Sequence, residues 1–193
     1  YFTDTPQIPI EELLGRATRS LDPVAILVRD KQLALEARFT LAMEIRAWDA
    51  VLALRPTVLF AIAAPGDLKP TLEWAPELGV DGVHFASAAW SKAASQLARA
   101  SFEWVSVACH SAAEVEERAR EGANVLVLSP IFESPGKGIP LGLHALRDAA
   151  GRLDRDRYLI ALGGIDREKA SACLQAGAHG VAAIRHDLTH LTQ

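Results

Sequence analysis

The chain has 193 residues, half of them apolar, with a net charge of −4 and only two cysteines. That length buries a sizeable core as one domain over residues 1–193. Scattered Lys and Arg under a mild negative balance argue against nucleic acid or an anionic membrane as partner. No uninterrupted apolar run reaches the roughly 18 residues of a membrane span, so a soluble, cytoplasmic chain is expected.

In chain order, apolar and β-branched runs recur at Tyr1–Thr3, Val24–Val28, Val58–Ala63, Gly82–Phe85, Trp104–Ala108, Val125–Leu128, Tyr158–Leu162 and Gly180–Ile184. Helical stretches lie between them. Eight strands alternating with helices predict a parallel α/β sheet closed into a single (β/α)8 TIM barrel. A long helix is expected over about Gln32–Leu54, and a shortened last helix after His186. Ser111-Ala-Ala-Glu114 reads as a capping box, with Gly122 closing that helix, and Asp166 reads as the N-cap of another. The phrases Leu78-Gly-Val-Asp-Gly-Val83, Glu121-Gly-Ala-Asn-Val125 and Ala176-Gly-Ala-His-Gly-Val181 repeat one helix-to-strand turn three times. Tyr1 opens directly on a strand-like run, which suggests that leading residues precede it.

Two stretches carry the chemistry. Ser129-Pro-Ile-Phe-Glu-Ser-Pro-Gly-Lys137 and Ala161-Leu-Gly-Gly-Ile165 are strands that break into small, hydroxylated or cationic residues. Glycines let backbone N–H groups approach an anion and a lysine adds charge, so a small phosphate ester is the expected ligand. Gly163 and Gly164 precede the helix capped by Asp166, so a tight turn and an anion site coincide there. Lys137, flanked by glycines, is the next candidate contact. Arg29 and Lys31 follow the second strand at the same rim. Arg185 follows the last strand.

His110 ends the fifth strand, where an imidazole can take and return a proton near pH 7. Glu133 is a candidate second proton carrier if it packs against Phe132. His84, between Val83 and Phe85, reads as a structural or wall residue. Trp48, Trp74 and Trp90 read as packing residues. Cys109 should point away from His110, which argues against a Cys–His nucleophilic pair. The cysteines have no metal-ligand spacing.

With these pieces placed, the chain resembles the thiamine phosphate synthase/TenI superfamily over nearly its whole length. The matching segments fall in family order: Tyr1-Phe-Thr-Asp4, Arg29-Asp-Lys31, Asp81-Gly-Val-His84, Ser106–His110, Ser129–Lys137, Gly142-Leu143, Gly163-Gly-Ile165 and Gly180–Arg185. The resemblance implies a thiazole phosphate at the strand C-termini, its phosphate held by Gly163, Gly164, Ala183 and Ile184. Arg29, Lys31, Ser134, Lys137, Gly142 and Arg185 are implied as further substrate contacts.

One branch couples the thiazole to a hydroxymethylpyrimidine pyrophosphate. The TenI branch includes an aromatase that shifts a proton on a thiazole carboxylate phosphate. Departures from the synthase pattern favour the second branch. Ala63-Ala-Pro65 and Ala88-Ala89 stand where synthases carry Mg²⁺-binding residues, Leu27 replaces a glutamine, and the pyrophosphate loop reads Ser134-Pro-Gly-Lys137. Alanine offers Mg²⁺ no oxygen. The expectation is therefore a TenI-like thiazole phosphate protein without metal or other cofactor, acting through His110, with Glu133 assisting. A Mg²⁺-dependent synthase, its site rearranged around Asp67, is the enzyme alternative. A non-catalytic phosphate-ligand binder is the alternative from another class. Dimerisation of the barrel stays open.

Overall fold

The computed structural model describes residues 1–20, 23–52, 58–63, 68–184 and 186–188. Helices and strands alternate: α1 (Ile10–Arg19), β1 (Ala25–Val28), α2 (Leu35–Leu52), β2 (Val58–Ala63), α3 (Leu68–Trp74), β3 (Gly82–Phe85), α4 (Lys92–Ser101), β4 (Trp104–Cys109), α5 (Ala112–Arg120), β5 (Val125–Leu128), α6 (Gly142–Gly151), β6 (Tyr158–Leu162), α7 (Arg167–Gln175) and β7 (Gly180–Ala182). The strands form one curled parallel sheet in the order β1 to β7. Such an order follows when every crossover carries a helix to the same face.

Of the closed eight-stranded barrel expected from the sequence, the described residues form a seven-stranded parallel sheet. The first expected strand, Tyr1–Thr3, is an isolated bridge between Phe2 and Leu27. Thr3 N–H donates to Leu27 O at 2.9 Å, and Phe2 N–H donates to Ala183 O at 3.2 Å. The run is too short for a ladder because the chain turns at once, Gln7 N–H closing on Asp4 O at 2.8 Å. Asp30, fully buried, ties this turn to the end of β1 by accepting from Thr5 N–H and Thr5 Oγ1. Burial alone would raise its pKa, but hydrogen bonds from Thr3, Thr5 and Gln32 hold it below the ordinary carboxylate value. The last strand also stops earlier than expected, at Ala182. The final helix expected after His186 falls in residues 189–193, outside the described residues.

The repeated turns act alike. Gly79, Gly122 and Gly177 all take positive φ. The residue two positions on then fastens the start of a neighbouring strand: Asp81 O accepts from Trp104 N–H, Asn124 Oδ1 from Val105 N–H, and His179 Nδ1 from Leu159 N–H. Both expected caps form, Ser111 accepting from Glu114 N–H and Asp166 from Lys169 N–H.

The main core lies between sheet and helices and includes Ile26, Phe85, Leu126, Leu128, Leu146 and Cys109. On the concave face, Leu27, Phe60 and Val125 form a smaller cluster against Phe2, Trp104 and Ile160. A cavity of about 340 Å³ opens there, its described walls free of Lys, Arg, Asp and Glu. Trp90 packs edge-on against Phe85 and donates to Glu121, as befits a packing residue. No helix among the described residues is long and apolar enough to cross a membrane.

Candidate functional site

A second cavity, of about 600 Å³, lies at the C-terminal ends of the strands. Parallel sheets place their ligand sites at this end, because the strand-to-helix loops converge there. The expected site residues reach its walls from five strand ends. Arg29 and Lys31 come from the end of β1, His110 from β4, and Glu133, Ser134 and Lys137 from the loop after β5. Gly163 and Gly164 follow β6, and Ala183 and Ile184 follow β7.

Ten of the site residues expected from the sequence thus meet in one cavity. Gly142 is not among the lining residues: it opens α6, and its N–H donates to Ile131 O at 3.0 Å. Arg185 lies outside the described residues.

The glycine pair is locked by the loop after β5. Ile131 N–H donates to Leu162 O and Phe132 N–H to Gly163 O. Gly163 and Gly164 have φ of 103° and 63°. A Cβ on Gly164 would fall 2.3 Å from Glu133 O, and one on Gly163 would fall 2.8 Å from Pro130 Cα. Only glycine combines that backbone conformation with so close an approach. Two residues later Asp166 opens α7, so peptide N–H groups and a helix start converge on the cavity.

His110 is held on two sides. Its Nδ1 lies 3.0 Å from Ser129 O, and its backbone N–H donates to Glu114 Oε2 at 2.8 Å. A carbonyl only accepts, so Nδ1 carries the proton and Nε2 is the acceptor. The Glu114 carboxylate, expected to close a capping box onto Ser111, instead reaches one residue further back, and its other oxygen accepts from Ser87 Oγ at 2.8 Å. Glu133 is exposed rather than packed against Phe132, so the burial that would have made it a proton carrier is absent.

His84 sits in the floor between the two cavities and lines both. Its Nδ1 meets Ser106 Oγ at 2.8 Å. Burial, helped by Lys31 and Arg29, pushes its pKa down to about 3, so the ring is neutral. Lys31 itself is pushed below the ordinary lysine value by burial and by Arg29 and Lys137. These three cations therefore share one electrostatic neighbourhood, which an anion would relieve. Cys109 is buried in the core, and burial raises its thiol pKa far from thiolate chemistry.

Among the described residues no group of three His, Cys, Asp or Glu side chains is placed to hold an ion. Ala88 and Ala89 lie in a 3₁₀ turn, Ser87–Ala89, beside the cavity wall. Ala64, Pro65 and Asp67 lie outside the described residues.

The cavity also contains residues that the motifs did not single out, chiefly Lys169 and His186, and Ser129, which the motif included without a role. Lys169 was legible in principle: Asp166-x-x-Lys169 places a cation in the first turn after the glycine pair. Ser129 contributes a backbone carbonyl, which side-chain chemistry does not announce.

Residues 3–186 match the family model described as thiamine monophosphate synthase. A putative thiamine-phosphate synthase 2 of Aquifex aeolicus is 28% identical over 177 residues, covering 91% of this chain and 86% of that protein. A thiamine-phosphate synthase of Gloeobacter violaceus is 26% identical over 96% of this chain, which spans only 51% of that longer protein. Among solved structures, a thiamine phosphate pyrophosphorylase from Pyrococcus furiosus superposes with a TM-score of 0.76 at 21% identity, over 95% of this chain and 83% of that one, a likeness of fold. Fold, ordered motifs and a family match across nearly all residues agree: the chain belongs to the thiamine monophosphate synthase/TenI family.

Proposed function

We propose that the C-terminal cavity binds a thiazole phosphate, with the phosphate on the N–H groups of Gly163 and Gly164 and the chain end of β7 at Ala183 and Ile184. A second anionic group then lies against Arg29, Lys31 and Lys137. The observation that carries this reading is that one cavity combines a glycine turn before a capped helix with a cluster of cations, one of which burial has already destabilised. The same reading takes the chain as one cytoplasmic domain, in which Tyr1–Thr3 serves as the eighth strand of a (β/α)8 barrel.

The names of the relatives favour coupling of the thiazole phosphate to a hydroxymethylpyrimidine pyrophosphate. In that reaction Arg29, Lys31 and Lys137 offset the charge that develops on the departing pyrophosphate, by direct hydrogen bonds from preorganised donors. Among the described residues no donor set fits Mg²⁺, so no step is routed through it. Geometry at His110 favours a second reading, a metal-independent proton shift on a thiazole carboxylate phosphate. With Nδ1 committed to Ser129 O, Nε2 is free to take a ring proton and return it at another atom.

Incubation with thiazole phosphate plus pyrimidine pyrophosphate, and separately with thiazole carboxylate phosphate, each with and without EDTA, decides between them. Pyrophosphate release identifies the coupling reaction, and EDTA-insensitive aromatisation identifies the proton shift. Saturable binding of thiazole phosphate without either turnover makes the chain a ligand-binding member of the family. Absence of binding overturns the reading.

A further inference from the structure

Lys169 stands five residues beyond Gly164, in the first turn of α7, and lines the same cavity. Phe132 connects the two. Its Cβ lies 2.9 Å from where a Gly164 Cβ would be, and its ring centroid lies 5.6 Å from Lys169 Nζ. Phe132 therefore sets its Cβ against the glycine turn and presents its ring to the ammonium. Lys169 Nζ is also 2.7 Å from Asp166 Oδ2, while Asp166 Oδ1 accepts from Lys169 N–H at 2.9 Å.

This arrangement answers an electrostatic difficulty. A helix N-cap carboxylate stabilises α7, but its full negative charge stands beside the turn that is to receive an anion. Lys169 offsets that charge, and His186, whose cationic form also acts on Asp166, lines the cavity from the β7 side. A lysine is a compact charge on a flexible stem with three donors, so it can keep contact with Asp166 while offering another N–H to a phosphate oxygen.

We propose that Lys169 is a specificity-determining residue of the phosphate subsite, selecting a phosphate dianion over the corresponding alcohol. This rests on the reading of the cavity as a thiazole phosphate site. Peptide N–H groups alone attract any acceptor, neutral or charged. A cation held against Asp166 and Phe132 adds a contribution that only a charged ligand can use.

Calorimetric titration of the parent, Lys169→Met and Lys169→Arg with thiazole phosphate, the unphosphorylated thiazole alcohol and inorganic phosphate tests this. Lys169→Met should weaken thiazole phosphate and inorganic phosphate by roughly tenfold or more, as expected for a charge-assisted hydrogen bond. It should leave the alcohol unchanged, and Lys169→Arg should stay within about threefold of the parent for all three ligands. The salt dependence of thiazole phosphate binding should also flatten in Lys169→Met. Equal affinity of Lys169→Met and parent for thiazole phosphate overturns the assignment while leaving the site reading intact. Parallel losses for phosphate and alcohol also overturn it, because they would reveal a merely structural lysine. Failure of the parent to bind any of the phosphates overturns both.

Discussion

His110 Nδ1 lies 3.0 Å from the carbonyl oxygen of Ser129, a contact between the end of β4 and the loop after β5 that fixes which ring nitrogen holds the proton. The loop after β5 thus orients the imidazole, while Glu114 holds the backbone on which it stands. His110, exposed like Glu133 but held at its ring and its backbone, is better placed for proton transfer than the loop-borne carboxylate.

His110→Gln should therefore retain thiazole phosphate binding but slow aromatisation of thiazole carboxylate phosphate by about 10²-fold or more, the usual contribution of a positioned acid–base group. Glu133→Gln should fall by far less. Steady-state rates of both variants check this; an active His110→Gln beside an inactive Glu133→Gln would reverse the roles.

His84 gives the folded protein a pH dependence of known sign. Its folded pKa is about 3 because it is buried, with Lys31 and Arg29 adding to the effect, whereas an unfolded imidazole titrates near 6.5. Above pH ~6.5 neither state binds the proton and His84 imposes no penalty. As pH falls from ~6.5 towards 3, the unfolded chain takes up a proton that the folded chain refuses. Stability then drops by at most about 1.4 kcal/mol per pH unit from this residue. Urea unfolding at pH 7.5 and pH 5 should show the parent losing more stability than His84→Gln. Equal losses would mean that His84 is not the buried titrating group.

The cations after β1 and β5 should act as a unit. Lys31 is displaced from its ordinary pKa by burial and then by Arg29 and Lys137, so removing it relieves a repulsion but also removes a ligand donor. Lys31→Met should weaken inorganic pyrophosphate by roughly tenfold, and the double variant Lys31→Met/Lys137→Met should lose less than the sum of the single losses. Calorimetry on the four proteins measures the coupling; strictly additive losses would separate the two residues.

Much of this was legible in the sequence because parallel strands, buried on both faces, read as continuous apolar runs and because glycine punctuation repeats with the fold. Seven of the eight strands, both helix caps and the gathering of ten candidate residues around one cavity followed from those signals. The first strand failed as a ladder because three residues before a turn sustain only one bridge, and no propensity measures that. Glu133 reaches the cavity as expected, but its exposure was not legible, because burial depends on how the loop folds, a tertiary fact. His110's ring was assigned to the site by its strand-end position, yet its partner, a backbone carbonyl nineteen residues away, has no side-chain signature.

The central claim is that the Gly163–Gly164 turn is the phosphate anchor, and Gly164 tests it most directly. At φ 63° with Glu133 O only 2.3 Å from an added Cβ, the position admits no side chain without displacing the loop. Calorimetric titration of the parent and Gly164→Ala with thiazole phosphate, with the folded fraction of each confirmed by its unfolding transition, is the decisive measurement. The expected result is saturable binding by the parent and at least a roughly hundredfold weaker affinity in a folded Gly164→Ala, the scale on which about 3 kcal/mol of lost backbone hydrogen bonding and strain would act. Parent-like affinity in the folded variant would contradict it.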